Sequence, residues 1–419
     1  MKNNSLISIK AITFAALLSL SVVGCSNVQN SNAAVVTSTQ AVATQAAGST
    51  ASSGTTSSTE AAETTTTSTD TSALFSDRDL EQDADLTAAT QMKLVSNQDV
   101  TLSEEGVYVL SGDVDNVTVT VEAAEEAKVQ IVLDGVSITN TDSPALYVKA
   151  ADKVFVTSTD SENHMEVTGS YVADGETNLD AVIFSRADVT LNGTGSLDIV
   201  SAQGNGISSK DDLKITGGVY KIDSSADALE ANDAILINEG TITIDTGKDA
   251  LHSENEEDTT LGNIYIEGGT LNITAADDAI TANNLVQIDG GSINIESAVE
   301  GIEGNNIIVN DGQITVYATD DGINATPKVN DNASIEVNGG TIKVSMGSGD
   351  TDAFDSNGNL YINGGVIDVE ATSAFDADGT AELNGGTVTV NGEQITEITV
   401  SRGGGGGGGF RGGGGGMGH

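Results

Sequence analysis

Apolar and polar residues alternate with a period of two along most of this chain, in runs too short for helices. Thr241-Ile242-Thr243-Ile244, Thr270-Leu271-Asn272-Ile273, Ser292-Ile293-Asn294-Ile295 and Gln313-Ile314-Thr315-Val316 each follow a Gly-Gly, Glu-Gly or Asp-Gly pair. A period of two sends alternate side chains to one face, as a strand does. The second glycines of these pairs are Gly218, Gly240, Gly269, Gly291, Gly312, Gly340, Gly365 and Gly386, so the successive spacings are 22, 29, 22, 21, 28, 25 and 21 residues. A base unit of about 21–22 residues therefore repeats, with a few residues inserted in three units.

Every unit keeps one internal order. The first strand leads to a corner, as in Asp227-Ala228-Leu229, Asp249-Ala250-Leu251, Asp278-Ala279-Ile280, Glu300-Gly301-Ile302, Asp321-Gly322-Ile323 and Asp352-Ala353-Phe354. A second strand follows, as in Ala234–Ile237, Asn263–Ile266, Leu285–Ile288 and Asn359–Ile362. Strands of four residues cannot bury a face alone. Coils of such strands stacked ~4.8 Å apart bury their apolar positions as continuous columns. The expectation is an all-β fold, a right-handed parallel β-helix over residues 75–400, the hand following the general preference of parallel crossovers. The pattern is looser upstream, where Val107–Leu110, Val117–Thr120, Val129–Leu133, Val154–Val156 and Val189–Leu191 read as strands. There Asp180-Ala181-Val182-Ile183 and Gly206-Ile207-Ser208-Ser209 read as earlier corners, and residues 75–95 as a short helix capping the open end.

Both ends differ from this body. Lys2 and Lys10 precede the apolar stretch from Ala11 to Val23, which is too short to span a bilayer. Residues 1–24 therefore read as a signal peptide. The stretch ends in Val22-Val23-Gly24-Cys25, which is similar to a bacterial lipobox and implies lipidation of Cys25. Residues 25–74, rich in Ser, Thr and Ala, have no apolar period and read as a disordered linker. Residues 401–419 are nearly all Gly and read as a disordered tail. The expected location is the outer face of a bacterial envelope, with the lipid as the only membrane contact.

Charge narrows the function. The chain carries 16 Lys and Arg against 62 Asp and Glu, a net charge of -46, which excludes nucleic acid as a partner. Its single Cys allows no internal disulfide, so rigidity has to come from repetition or metal. The acids recur at fixed places. Counted from the second Gly, position nine holds Asp227, Asp249, Asp278, Glu300 and Asp321. Position twelve holds Glu230, His252, Thr281, Glu303 and Asn324, and position fourteen holds Asn232, Glu254, Asn283, Asn305 and Thr326. Asp352, Asp355 and Asn357, then Asp376 and Asp378, continue the motif, and Asp277, Asp320 and Asp350 flank it.

In a parallel stack these residues form columns. Two carboxylates ~5 Å apart repel by about 1 kcal/mol in water and about 3 kcal/mol at an effective dielectric near 20. Calcium removes that cost, because it takes 6–8 hard oxygen ligands and mixes carboxylate, amide and carbonyl. Soft ligands are scarce, with Cys25 in the leader and only three His, which disfavours zinc and copper. Asp and Asn also suit tight turns without metal. Turn chemistry needs one acid per corner, whereas Glu300/Glu303 and Asp352/Asp355 supply two.

The stretches Gly106–Gly112, Ile131–Ile138, Gly204–Leu213 and the Asp-Ala/Gly corners resemble the bacterial calcium-binding β-helix family of carbohydrate-binding domain-containing proteins, described as cellulose- and acid-sugar-binding. The resemblance covers residues 90–396. It implies a pectate-lyase-like β-helix, bound calcium and an extracellular polysaccharide partner. His252, Thr281 and Ser373 depart from the motif, so not every coil need hold an ion. Tyr265 and Tyr361 share a repeat position and are the candidates for stacking on sugar.

Three functions fit this pattern. The first is a non-catalytic, monomeric binder of an acidic, pectate-like polysaccharide or of cellulose. The second is a calcium-dependent polysaccharide lyase, which needs a base near the metal; Lys210 and Lys248 are the nearest, and no Arg lies between Gly218 and Gly392. The third is an adhesin or rod that calcium only stiffens.

Overall fold

A computed structural model of the protein describes residues 68–349 and 351–400. The leader, Cys25, most of the expected linker, Asp350 and the Gly-rich tail lie outside the described residues. Among these residues there is no α-helix, and parallel strands stack as a β-solenoid of about 12 turns.

Three ladders run the length of the solenoid, one more strand per coil than the two outlined by alternation. The residue after the Asp-Ala or Asp-Gly dipeptide opens a short strand of its own. Leu229, Leu251, Ile280, Ile302, Ile323, Phe354 and Phe375 stack in register there, and Ile183 and Ile207 extend the column upstream. The second ladder stacks Ile235, Ile264, Val286, Ile307, Ile335 and Leu360. The third, after the glycine pairs, stacks Ile242, Leu271, Ile293, Ile314, Ile342, Ile367 and Val388. All these side chains are buried in one core. Each contributes about 1.5–3 kcal/mol by leaving water, which lets a chain with so few aromatic residues fold. One antiparallel hairpin, Thr387–Val390 with Glu393–Ile395, closes the C-terminal end of the third ladder.

The glycine pairs have a steric cause. Gly291 has φ +87°, and a Cβ on it would come within 2.9 Å of the Gly268 carbonyl in the coil below. Just before these pairs an amide ladder climbs the outer corner. Asn310 Nδ2 donates to Asp289 Oδ1 (2.6 Å), Asn338 to Asn310 (2.9 Å), Asn363 to Asn338 (2.9 Å) and Asn384 to Asn363 (3.0 Å). Two insertions, 254–262 and 326–333, leave between the corner strand and the second strand; the third, 347–351, precedes the corner strand.

The N-terminal stretch does not cap the open end as a helix. Thr71–Leu74 and Leu86–Ala88 are single 3-10 turns in a strap that crosses the outside of the second ladder. Gln287 exchanges hydrogen bonds with the backbone of Thr69 (2.8 and 2.7 Å), and Thr71 Oγ1 donates to Asp289 (2.6 Å). Lys214 Nζ donates to the Leu74 carbonyl (2.6 Å), and Asp79 binds Lys153 (2.8 Å) and Thr190 (2.6 Å). Gln82 then bridges Gly193 N and the Thr216 carbonyl, each at 2.9 Å, before Thr90 enters the first coil beside Tyr108. The body thus includes residues 68–74, which sequence places in the linker.

Candidate functional site

The corner column is built by the backbone before any side chain is charged. Asp249 N donates to Asp227 Oδ1 (3.1 Å), Asp278 N to Asp249 Oδ1 (3.1 Å), Glu300 N to Asp278 Oδ1 (3.2 Å) and Asp352 N to Asp321 Oδ1 (3.1 Å). One oxygen of each carboxylate thus caps an amide of the next coil, and the other remains for a second partner. Position twelve forms a parallel column, with Glu230, His252, Thr281, Glu303, Asn324, Asp355 and Asp376 in register.

Between the columns lie three groups whose ligand atoms are mutually within 4.8 Å: Asp227/Asp249/His252, Asp249/Asp277/Asp278 and Asp278/Glu300/Glu303. The first is already neutralised. Lys248 Nζ stands 3.1 Å from Asp227 and 3.3 Å from Asp249, and His252 Nδ1 stands 3.3 and 3.6 Å from the same two. Burial alone would raise Asp227, yet His252 and Lys248 hold it below its usual range. Burial opposes the charge on His252 too, but Asp227 and Asp249 outweigh it and raise the imidazole.

Further along the column the balance reverses. Burial, then Asp249, Glu303 and Asp277, push the Asp278 carboxyl up to about 7. Burial with Glu303, Asp278 and Asp321 pushes Glu300 up to about 8, despite a hydrogen bond from Asn324. Asp321 is pushed up to about 6, and Asp355 to about 7 by burial and by Asp321, Asp352, Asp376 and Asp378. Among the described residues no Lys, Arg or His pairs with these four, although Lys328 pairs with the neighbouring Glu303. A buried acceptor is also left over: Asn324 donates its Nδ2 to Glu300 Oε2 (3.0 Å), while its Oδ1 has no hydrogen-bond partner among the described residues. Asn324 is only 7% exposed, so water does not readily substitute. Oxygen donors with an orphaned amide carbonyl fit calcium, which Asp278, Glu300, Glu303 and Asn324 would hold together.

The remaining sequence candidates divide. Asp277 and Asp320 are exposed beside the column. Asn232 and Glu254 line a shallow cavity with Lys210, His252 and Asn255, and Asn283 donates to Glu254 (3.0 Å). Asn357 accepts from Thr326 (3.0 Å), and exposed Asp378 adds its charge beside Asp355. Asn305 is fully buried and serves the 326–333 loop, its Oδ1 accepting the amides of Lys328, Val329 and Asn330 at 2.9–3.0 Å. That geometry removes Asn305 from the metal set. At the departures from the motif, Thr281 Oγ1 donates to Glu303 (2.8 Å), and Ser373 donates to Asp352.

The tyrosines do not form a platform. Tyr265 is half-buried and packs against the cluster of Phe75, Ala234 and Leu236. Tyr361 stands four coils away on the same ladder, beyond Gln287, Ile308 and Glu336, roughly 19 Å at ~4.8 Å per coil.

Two participants escape a reading of repeats. Asn205 caps the N-terminal end of the column, accepting Asp227 N (3.0 Å) and donating to Glu230 (2.5 Å). Lys328 reaches back from its loop to ion-pair with Glu303. The Gly204-Asn205-Gly206 stretch carried a signal for the first; nothing periodic marks the second.

The family model for carbohydrate-binding domain-containing proteins matches residues 96–353. A carbohydrate-binding domain-containing protein of Acetivibrio thermocellus is 36% identical over 127 residues, 30% of this chain and 44% of that protein, so the chain spans less than half the length of this relative. Among solved structures, the polysaccharide lyase-like protein from C. thermocellum, as its gadolinium derivative, aligns over 70% of this chain and 99% of its own, at 26% identity and a TM-score of 0.45. With its family model covering the repeats from the first coils to the Asp352 corner, the chain belongs to the carbohydrate-binding domain-containing protein family.

Proposed function

We propose that the protein is a non-catalytic cell-surface lipoprotein that binds an extracellular polysaccharide through a calcium-loaded β-helix. The observation that carries the calcium is the buried Asn324 amide, whose Nδ2 donates to Glu300 while its Oδ1 is left without a hydrogen-bond partner among the described residues, beside the Asp278/Glu300/Glu303 group. An acidic, pectate-like chain suits this surface better than cellulose, because its carboxylates complete the coordination of calcium and it needs no aromatic platform. Tyr265 being half-buried against Phe75, Ala234 and Leu236 supports the same choice.

The lyase reading loses its base. Abstraction of a proton beside a uronate carboxylate requires an unprotonated base near the metal, such as a neutral amine. Lys210 is paired with Glu230 (3.2 Å), and Lys248, although burial works the other way, is raised by Asp227 and Asp249. A more basic lysine stays charged at neutral pH and takes no proton.

The deciding measurement is retention of the protein on pectate and on cellulose, with calcium and with chelator. Calcium-dependent retention on pectate is expected, with no rise in ultraviolet absorbance from unsaturated ends. No retention on either polymer would leave only the rod.

A further inference from the structure

The Asp249/Asp277/Asp278 group and the closed group differ at two positions of the repeat, while the Asp278/Glu300/Glu303 group meets a single ammonium, Lys328, on Glu303. Residue 248 is Lys where the next coil has Asp277, and residue 252 is His where Glu230 and Glu303 stand in register. Lys248 Nζ bridges Asp227 and Asp249, and His252 Nδ1 faces the same two carboxylates. They occupy the repeat positions that Asp277 and Thr281 hold one coil further on, where the ligand atoms of Asp249, Asp277 and Asp278 lie within 4.8 Å of one another. On the N-terminal side, Lys210 and Asn205 satisfy Glu230. On the C-terminal side, no Lys, Arg or His occurs between Lys343 and Arg402.

We infer that Lys248 and His252 are a cation supplied by the chain itself, which closes the column at its N-terminal end, so that calcium is taken up only on the C-terminal side of the Asp227/Asp249/His252 group. The inference rests on the calcium reading above and adds its boundary. An ammonium within 3.3 Å of two carboxylates supplies one of the two charges a divalent ion would bring, a protonated His252 facing the same pair supplies the other, and together they take the ion's place. The repeat thus spends two positions to exclude metal from a coil that otherwise keeps the motif.

The test exchanges the plug for ligands. Lys248→Asp with His252→Glu rebuilds the pattern of Asp277 and Glu303, and calcium uptake by the parent and the variant is counted by isothermal titration at neutral pH. The variant is expected to take up one more calcium per chain, with a further rise in melting temperature on calcium addition. A folded variant with the parent's count overturns the plug and leaves the calcium reading standing. A parent that takes up no calcium overturns both. Should the double variant not fold, Lys248→Asp alone gives the same decision, an extra weaker site supporting the plug and an unchanged count refuting it.

Discussion

At the scale of single residues, the site separates into groups that hold backbone and groups that hold charge. Asn305 belongs to the first kind. Its Oδ1 serves three consecutive amides of the 326–333 loop, so Asn305→Ala leaves buried donors unmatched, at a cost of roughly 1–3 kcal/mol. Hydrogen exchange is expected to speed up at residues 328–330 and to stay unchanged in the coils above and below. Sequence places Asn305 with the ligands because it occupies the repeat position of Asn283, and register alone does not tell whether an amide faces outward or folds into its own loop. By contrast, Asp278, Glu300, Glu303 and Asn324 are brought together as their spacing implies, because parallel stacking turns equal positions into neighbours.

At the scale of elements, the ladders follow from alternation and the strap does not. The third strand of each coil was compressed in sequence to a corner, since three residues such as Leu229–Ala231 show too little alternation to count as a strand until they are seen paired with Leu251–Ser253. The strap has no repeat at all. It is positioned by side chains such as Asp79, which is 1% exposed and held well below the usual carboxylate range: burial would raise it, but Lys153, Thr190 and Ser76 outweigh burial. Asp79→Ala leaves the largely buried Lys153 ammonium with only the more distant Asp188 (3.6 Å) and is expected to cost about 3 kcal/mol. Limited proteolysis should then cut between residues 70 and 85 while the coils remain resistant. Cutting within the coils at the same rate would show that the strap and the solenoid are one cooperative unit.

At the scale of the whole molecule, the column governs how stability responds to pH. Asp278, Glu300, Asp321 and Asp355 are all raised in the folded chain, so without metal the native state binds more protons than the unfolded one between about pH 4 and pH 8. Stability of the calcium-free protein therefore falls as pH rises through that window. Its melting temperature is expected to be several degrees lower at pH 8 than at pH 5. Saturating calcium, which binds the ionised carboxylates, should reverse the slope, and a calcium-free melt that rises with pH would contradict the assignment.

A solenoid made of nearest-neighbour coils has no obligatory last step, since each coil needs only the one before it. The strap adds a step that waits on distant coils. Thr71 is paired with Asp289 across 218 residues of chain, so the segment that emerges early in synthesis must wait until the coil bearing Asp289 exists. Until then the outer faces of Phe155, Leu236 and Tyr265 are bare. The earliest-made part of the body thus settles only after the coils between Lys153 and Asp289, and its arrival reports that these have been completed.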